Sequence, residues 1–276
     1  PAGAPYDFPV PLPGGGPSTR IEHVVLILRE NKTYDALLGD WPGTAARPAD
    51  GDPSLTLVPP AMATTVFPNL RAMVDRFASL DNYYIASELS NQGHTWVNAG
   101  RLTDFGERTW MLHDGRGTRG ALPPIGTSSV GLPEEGDLWA AFRRARVDAM
   151  SWGEIVGTQA GSQRAGSLYP GLLFNNGILD VEKARAFIDR VIGSNSHGDN
   201  PAGLCELPQF TMLLLPNDHT QGGSAGAPTP ISHYQDNDEA TGMVLDAVSH
   251  STSWPSTLVV VIEDDPAQGG DHVDNH

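Results

Sequence analysis

The sequence predicts an α/β protein built on a mostly parallel sheet with helices on both faces. Three observations predict it. The runs IEHVVLIL (21–28), FTMLLL (210–215) and TLVVVI (257–262) are nearly continuous in Val, Ile, Leu and Met, the pattern of strands buried on both sides. Segments between such runs carry apolar residues at helical spacing. Strand and helix patterns also alternate along the chain, which requires parallel crossover connections.

The elements follow in order. Residues 1–18 are rich in Pro and Gly and read as an extended arm. Residues 21–28 form the first buried strand, and 29–35 lie beyond its C-terminal end. Pro, Gly and Asp punctuate 42–60 as loop. Residues 69–77 have helical spacing, 80–85 read as a short strand, and 95–104 open a helix. The polar, Gly-rich stretch 109–133 reads as an excursion near the site. Residues 137–146 form a helix with Leu138, Phe142 and Ala145 on one face, and 147–152 the next strand. Residues 181–192 form an amphipathic helix with Ala184, Phe187, Ile188 and Val191 inward. Residues 210–215 form a strand. A long helix spans 233–250, with Met243, Val244, Ala247 and Val248 as its packed stripe. Its Asp236, Asn237, Asp238 and Glu239 read as a solvated face. Residues 257–262 form the last strand.

The 276 residues suit one large domain, 19–276, behind the arm. The formal net charge is −16, with 17 Lys and Arg against 33 Asp and Glu, which argues against nucleic-acid binding. No apolar run approaches the roughly 20 residues of a membrane span. The single cysteine, Cys205, excludes an intrachain disulfide. A start at Pro1 without Met reads as a trimmed N-terminus, so a removed signal peptide and a secreted or periplasmic location are expected.

In parallel α/β sheets, ligands bind beyond the C-terminal ends of the strands, and chemistry-bearing residues cluster there. Arg29-Glu30-Asn31 follows the first run, Pro216-Asn217-Asp218-His219 the FTMLLL run, and Glu263-Asp264-Asp265 the TLVVVI run, with Asp271 to His276 beyond. Carboxylates, amides and imidazoles gathered at one edge suit a divalent cation such as Zn, Mn, Mg or Ca. Each cluster alone would equally suit helix caps and turns.

At these residues the sequence resembles the bacterial phosphoesterase family of phospholipases C and acid phosphatases, within the alkaline phosphatase superfamily. Five segments carry the resemblance: IEHVVLILRENKTYD (21–35), GHTWVN (93–98), DLWAAFRRARVDAMSWGE (137–154), LPNDHTQG (215–222) and the closing block 233–276. The resemblance implies an alkaline phosphatase-like, three-layer αβα sandwich. It implies that Glu30 and Asn31 form a first metal pair, that Asp264 and Asp265 form a second, and that Thr95 is the nucleophile. It places His219 and His272 on phosphate or a second metal, Asn98 in support, and His276 as a further family histidine. His94 stands where other members often carry Pro and is read as contacting substrate. The chain ends at His276 where family members continue, so a truncated C-terminus is expected.

The implied chemistry is hydrolysis of a small-molecule or lipid phosphate ester through a phosphothreonine on Thr95. A threonine hydroxyl is a weak nucleophile at neutral pH, and a cation both lowers its pKa and screens the ester's charge. One tight cation is expected at the oxygen-rich set of Glu30, Asn31, Asp264, Asp265 and Thr95, unless Asn31 instead donates to a phosphate oxygen of the substrate. Asp218, His219, His272 and His276 would form a second, more zinc-like set. The competing reading is a weakly active, metal- or ligand-binding relative on the same scaffold. His23, His113, His197, His233 and His250 read as surface or structural histidines, and Trp96, Trp139 and Trp152 as core.

Overall fold

The computed structural model describes residues 9–11, 14, 16–114, 130–154, 164–165, 174–192 and 207–266. Its strands are β1 (His23–Arg29), β2 (Gly43–Thr44), β3 (Arg47–Pro48), β4 (Ala149–Trp152), β5 (Arg164–Ala165), β6 (Phe210–Leu214) and β7 (Thr257–Glu263). Its helices are α1 (Tyr34–Leu38), α2 (Pro60–Val66), α3 (Pro68–Arg76), α4 (Ser90–Ala99), α5 (Asp104–Asp114), α6 (Leu138–Ala145), α7 (Asp180–Phe187) and α8 (Pro230–Ser249). The main sheet has the order β5-β4-β6-β1-β7, and every neighbouring pair is parallel. β2 and β3 form a separate small hairpin inside the predicted loop 42–60.

The strand alternation sorts the core into layers. Val25 and Ile27 of β1 face the side covered by α7 and α8, where they meet Ala184, Phe187, Ala240, Val244 and Val248. Val24 and Leu26 face the other side, where Trp139 and Phe142 of α6 and Val97 of α4 pack on Phe210 and Met212. The rings of Trp139 and Phe210 meet edge to face at 5.8 Å. Each such fully buried apolar side chain contributes about 1.5–3 kcal/mol against the entropy of ordering it. Helices thus cover both faces of a parallel sheet, as predicted. A third cluster joins α1, α2 and α3 to Tyr234 of α8.

Local chemistry sets the helix ends. Asp137 caps α6 by accepting from the Ala140 N–H at 2.7 Å, and Arg146 closes it in the left-handed region, φ 58°. Thr229 caps α8, whose first residue is Pro230; a proline there lacks only a donor that the first turn leaves unused.

Several elements differ from the sequence expectation. Residues 80–85 form a turn at 81–82 and no strand. The helix expected to open at Thr95 begins five residues earlier, at Ser90, and ends at Ala99. Thr109 to Asp114 belong to α5, and 115–129 of the expected excursion lie outside the described residues. The helix over 181–192 is α-helical to Phe187 and widens into a π turn from Ile188 to Ile192. The supposed solvated face of α8 is buried at Asp236, Asn237 and Asp238, while Glu239 is exposed. Trp139 and Trp152 are core as expected, and Trp96 is only half-buried.

Burial of that acidic face has a bonding reason. Asp238 reaches from α8 to the start of α3 and accepts from the backbone N–H groups of Asn69 and Leu70 at 2.9 and 2.8 Å. Asp236 accepts from the Asp180 N–H at 2.6 Å, at the start of α7. Each carboxylate satisfies helix-terminal donors that would otherwise be buried unpaired.

Candidate metal centre at the C-terminal edge of the sheet

Because the strands are parallel, their C-terminal ends share one edge, and the register brings them level. Arg29 of β1 pairs with Glu263 of β7, Leu28 with Leu214 of β6, and Trp152 of β4 with Leu213. The next residues along each strand therefore converge: Glu30 and Asn31, Asp264 and Asp265, Asn217 and Asp218, and Glu154.

Asn31 sits at φ 65°, a left-handed turn that Asn tolerates better than most residues. This turn directs its backbone N–H to Asp264 Oδ1 at 2.9 Å. Its side-chain Nδ2 donates to both oxygens of Asp265 at 2.8 Å and reaches Ser90 Oγ at 3.2 Å. Ser90 Oγ donates to Asp265 Oδ2 at 2.8 Å.

α4 fits closely over the end of β7. A Cβ added to Gly93 would fall 2.0 Å from the Asp264 carbonyl oxygen, and Ser87 Oγ donates to that carbonyl at 2.6 Å. The close approach delivers the next residue, His94, into the cluster. His94 Nδ1 lies 2.9 Å from both oxygens of Glu154. Its Nε2 lies 3.0 Å from Glu30 Oε1 and 3.7 Å from Asp264 Oδ2. His94 and Glu154 have no exposed surface, and Glu30 and Asp264 have 1% each.

Burial opposes charge on His94, but Glu154 and Glu30 outweigh it and hold the imidazole well above its usual range. Asp264 is pushed well up by burial and by the charges of Glu30 and Asp265. Three buried oxygens, Glu30 Oε2, Asn31 Oδ1 and Asp264 Oδ2, have no hydrogen-bond partner among the described residues. One ligand atom each from Glu30, His94 and Asp264 lie within 4.8 Å of one another. Unpaired buried acceptors are costly, and crowded carboxylates with one imidazole form a donor set that fits a divalent cation.

The other expected site residues are placed as follows. Thr95 is fully buried in the middle of α4, and its Oγ1 donates to the Asn91 carbonyl at 2.7 Å. From Ser90 to Thr95 the helix turns about 140° and rises about 7.5 Å, so Ser90 rather than Thr95 meets Asn31 and Asp265. Asn98 donates to the His94 carbonyl and accepts from Trp139 Nε1–H, both at 2.7 Å. Its contacts support α4 from behind. Asp218, expected among metal ligands, accepts from the Glu30 N–H at 3.0 Å and faces the Arg29 guanidinium at 3.3 Å. His219 is exposed, with Nδ1 3.0 Å from the Thr220 carbonyl oxygen and its ring against Phe174. His272 and His276 lie outside the described residues.

The sequence reading missed Glu154, Ser90 and Asn237. Glu154 follows the β4 run by two residues, so the strand-end rule that picked out the other clusters also covers it. Ser90 opens a helix, and the clue was obscured by the expectation of a later start. Asn237 sits mid-helix, accepting from Arg29 Nε at 2.6 Å and donating to the Leu215 carbonyl at 2.7 Å; no sequence signal marks it.

No family model matches the chain, and no curated protein matches it. Solved structures do align with it. Murine ectonucleotide pyrophosphatase/phosphodiesterase 5 aligns with 88% of this chain at a TM-score of 0.49 and 11% identity. An inactive form of the same murine protein in complex with AMP aligns with 88% at 0.47 and 11% identity. The chain spans 57% of the length of either structure. Among the described residues, no helix is long and apolar enough to cross a membrane.

Proposed function

We propose that the chain hydrolyses phosphate esters with the help of a divalent cation held by Glu30, Asn31, Asp264 and Asp265. One observation carries the reading. Three buried oxygens without a hydrogen-bond partner among the described residues, from Glu30, Asn31 and Asp264, stand at the C-terminal edge of a parallel sheet, beside the half-buried Ser90 at a helix start. When bound there, the cation would neutralise the ester's charge and favour deprotonation of a nearby hydroxyl.

The nucleophile in this proposal is Ser90. Ser90 is half-buried, and its Oγ already donates to Asp265 Oδ2 at 2.8 Å. Asp265 takes the proton as Oγ attacks phosphorus. The Ser90 Oγ–P bond forms, the ester P–O bond breaks, and the alcohol leaves with a proton from solvent. Water then hydrolyses the phosphoserine. Asn31 Nδ2, 3.2 Å from Ser90 Oγ, orients the hydroxyl. The N-terminus of the ten-residue α4 faces the transferred group with the positive end of its dipole. A phosphothreonine on Thr95 is the second reading, favoured by the GHTWVN resemblance.

The test is turnover of chromogenic phosphomonoesters and phosphodiesters across added Zn, Mn, Mg and Ca. Parent, Ser90→Ala and Thr95→Ala are run side by side. Metal-dependent turnover that falls at least a hundredfold in Ser90→Ala and stays within severalfold in Thr95→Ala is expected. The reverse pattern returns the reaction to Thr95. Metal binding without turnover on any ester would identify a binding-only relative. A secreted or periplasmic setting belongs to the same proposal and is checked by fractionating the source cells.

A further inference from the structure

We infer that His94 is itself a ligand of the cation, aimed by Glu154, and that the site therefore selects a borderline metal of the zinc type over Mg or Ca. This rests on the metal reading above but goes beyond it, since it concerns one imidazole and the carboxylate behind it.

Geometry points to the ring nitrogen that keeps its proton when a cation binds the other. Both oxygens of Glu154 lie 2.9 Å from His94 Nδ1, and an ionised carboxylate only accepts, so Nδ1 carries the proton. Nε2 is then the atom that faces Glu30 Oε1 at 3.0 Å and Asp264 Oδ2 at 3.7 Å. A carboxylate holding one ring nitrogen while the other faces acidic oxygens is the arrangement of a carboxylate–histidine–metal triad.

A purely structural role explains less. A proton on Nε2 would satisfy Glu30 Oε1, yet Glu30 Oε2 and Asp264 Oδ2 are buried without a hydrogen bond among the described residues. A dication bound by Nε2 and the two facing carboxylates would answer the unpaired oxygens. One nitrogen donor among hard oxygens moves preference from Mg and Ca towards Zn or Co.

The experiment uses the full chain stripped of metal. Zn, Co and Mg binding are measured by titration calorimetry for the parent, His94→Gln and Glu154→Gln. Thermal unfolding of the metal-free proteins checks that each variant folds. The Zn-loaded parent is also examined by X-ray absorption for an imidazole nitrogen shell at about 2.0–2.1 Å.

Zn binding should weaken at least a hundredfold in His94→Gln and about ten- to a hundredfold in Glu154→Gln. Mg binding should change less than threefold in either, and the Co visible spectrum should shift in His94→Gln. Zn bound by His94→Gln with parental affinity, or a parent spectrum without imidazole scattering, overturns the inference and leaves the metal-dependent reading standing. A folded parent that binds no cation overturns both. If His94→Gln does not fold, the parent's absorption spectrum and Glu154→Gln decide the matter.

Discussion

The backbone N–H of Glu30 donates to Asp218 Oδ1 at 3.0 Å, tying the residue after β1 to the turn after β6. The other oxygen of Asp218 faces Arg29 Nη2 at 3.3 Å, and both side chains are buried. Burial raises the Asp218 carboxyl, opposed by the nearby charge of Arg29. Asp218→Ala removes an acceptor and leaves a buried guanidinium short of a partner. A loss of about 3–5 kcal/mol is expected, measured by urea unfolding. Asp218→Asn keeps an acceptor for Glu30 and should lose less, about 1–3 kcal/mol. Equal losses would show that the charge on Asp218 contributes nothing.

Gly93 lets α4 touch the end of β7. A methyl group there would meet the Asp264 carbonyl oxygen at 2.0 Å and Ser87 Oγ at 2.9 Å. Backbone cannot yield as a flexible side chain does, so Gly93→Ala should push α4 outward. The expected cost is about 1–3 kcal/mol or more, with displacement of both Ser90 and His94. Thermal unfolding and Zn titration report the two effects. Parental values in both would show that the helix does not sit this close.

Asn98 joins α4 to α6 by accepting from the Trp139 indole N–H at 2.7 Å, while its amide donates to the His94 carbonyl of its own helix at 2.7 Å. Asn98→Ala strands the indole N–H in the interior, at about 1–3 kcal/mol, and leaves the His94 carbonyl its place in the helical ladder. Chemical denaturation followed by tryptophan fluorescence reads the loss. An Asn98→Ala protein as stable as the parent would mean that water replaces the amide.

Burial pushes Asp180 from an ordinary value of 3.8 up to about 7, against the pull of Lys183, whose Nζ is 2.8 Å away. The hydrogen bonds it accepts from the Asn217 N–H and Asn237 Nδ2 also favour the charged form. Between those two pH values the unfolded chain has released this proton while the folded protein still holds it. Stability from Asp180 is therefore complete below about pH 4, declines as pH rises towards 7, and is level above it. In the metal-free protein, Asp180→Asn should flatten that decline. Parallel stability curves for parent and variant between pH 4 and 7 would refute the assignment.

The buried strands were legible because period and composition report burial directly. β1, β6 and β7 fall within one or two residues of their expected limits, and their ends marked Glu30, Asn31, Asp264 and Asp265. What misled was local polarity. Asp236, Asn237 and Asp238 look like a wetted helix face, yet they bond the starts of α7 and α3 and reach Arg29. Those partners are distant in sequence, and no periodicity encodes them.

The hydroxyl and imidazole on α4 show the same division. Local pattern singled out His94 and Thr95 and passed over Ser90 on the same short segment. Which of them faces the carboxylates depends on where the helix begins and how closely Gly93 lets it approach β7. Sequence by itself determined the parallel sheet and the acidic edge, because hydrophobic period and strand-end position are local properties. Only the tertiary structure decided that Ser90 meets Asp265 while Thr95 turns back on its own helix, and that Glu154 lies behind His94. Those relationships are set by helix rotation and strand register across long stretches of chain.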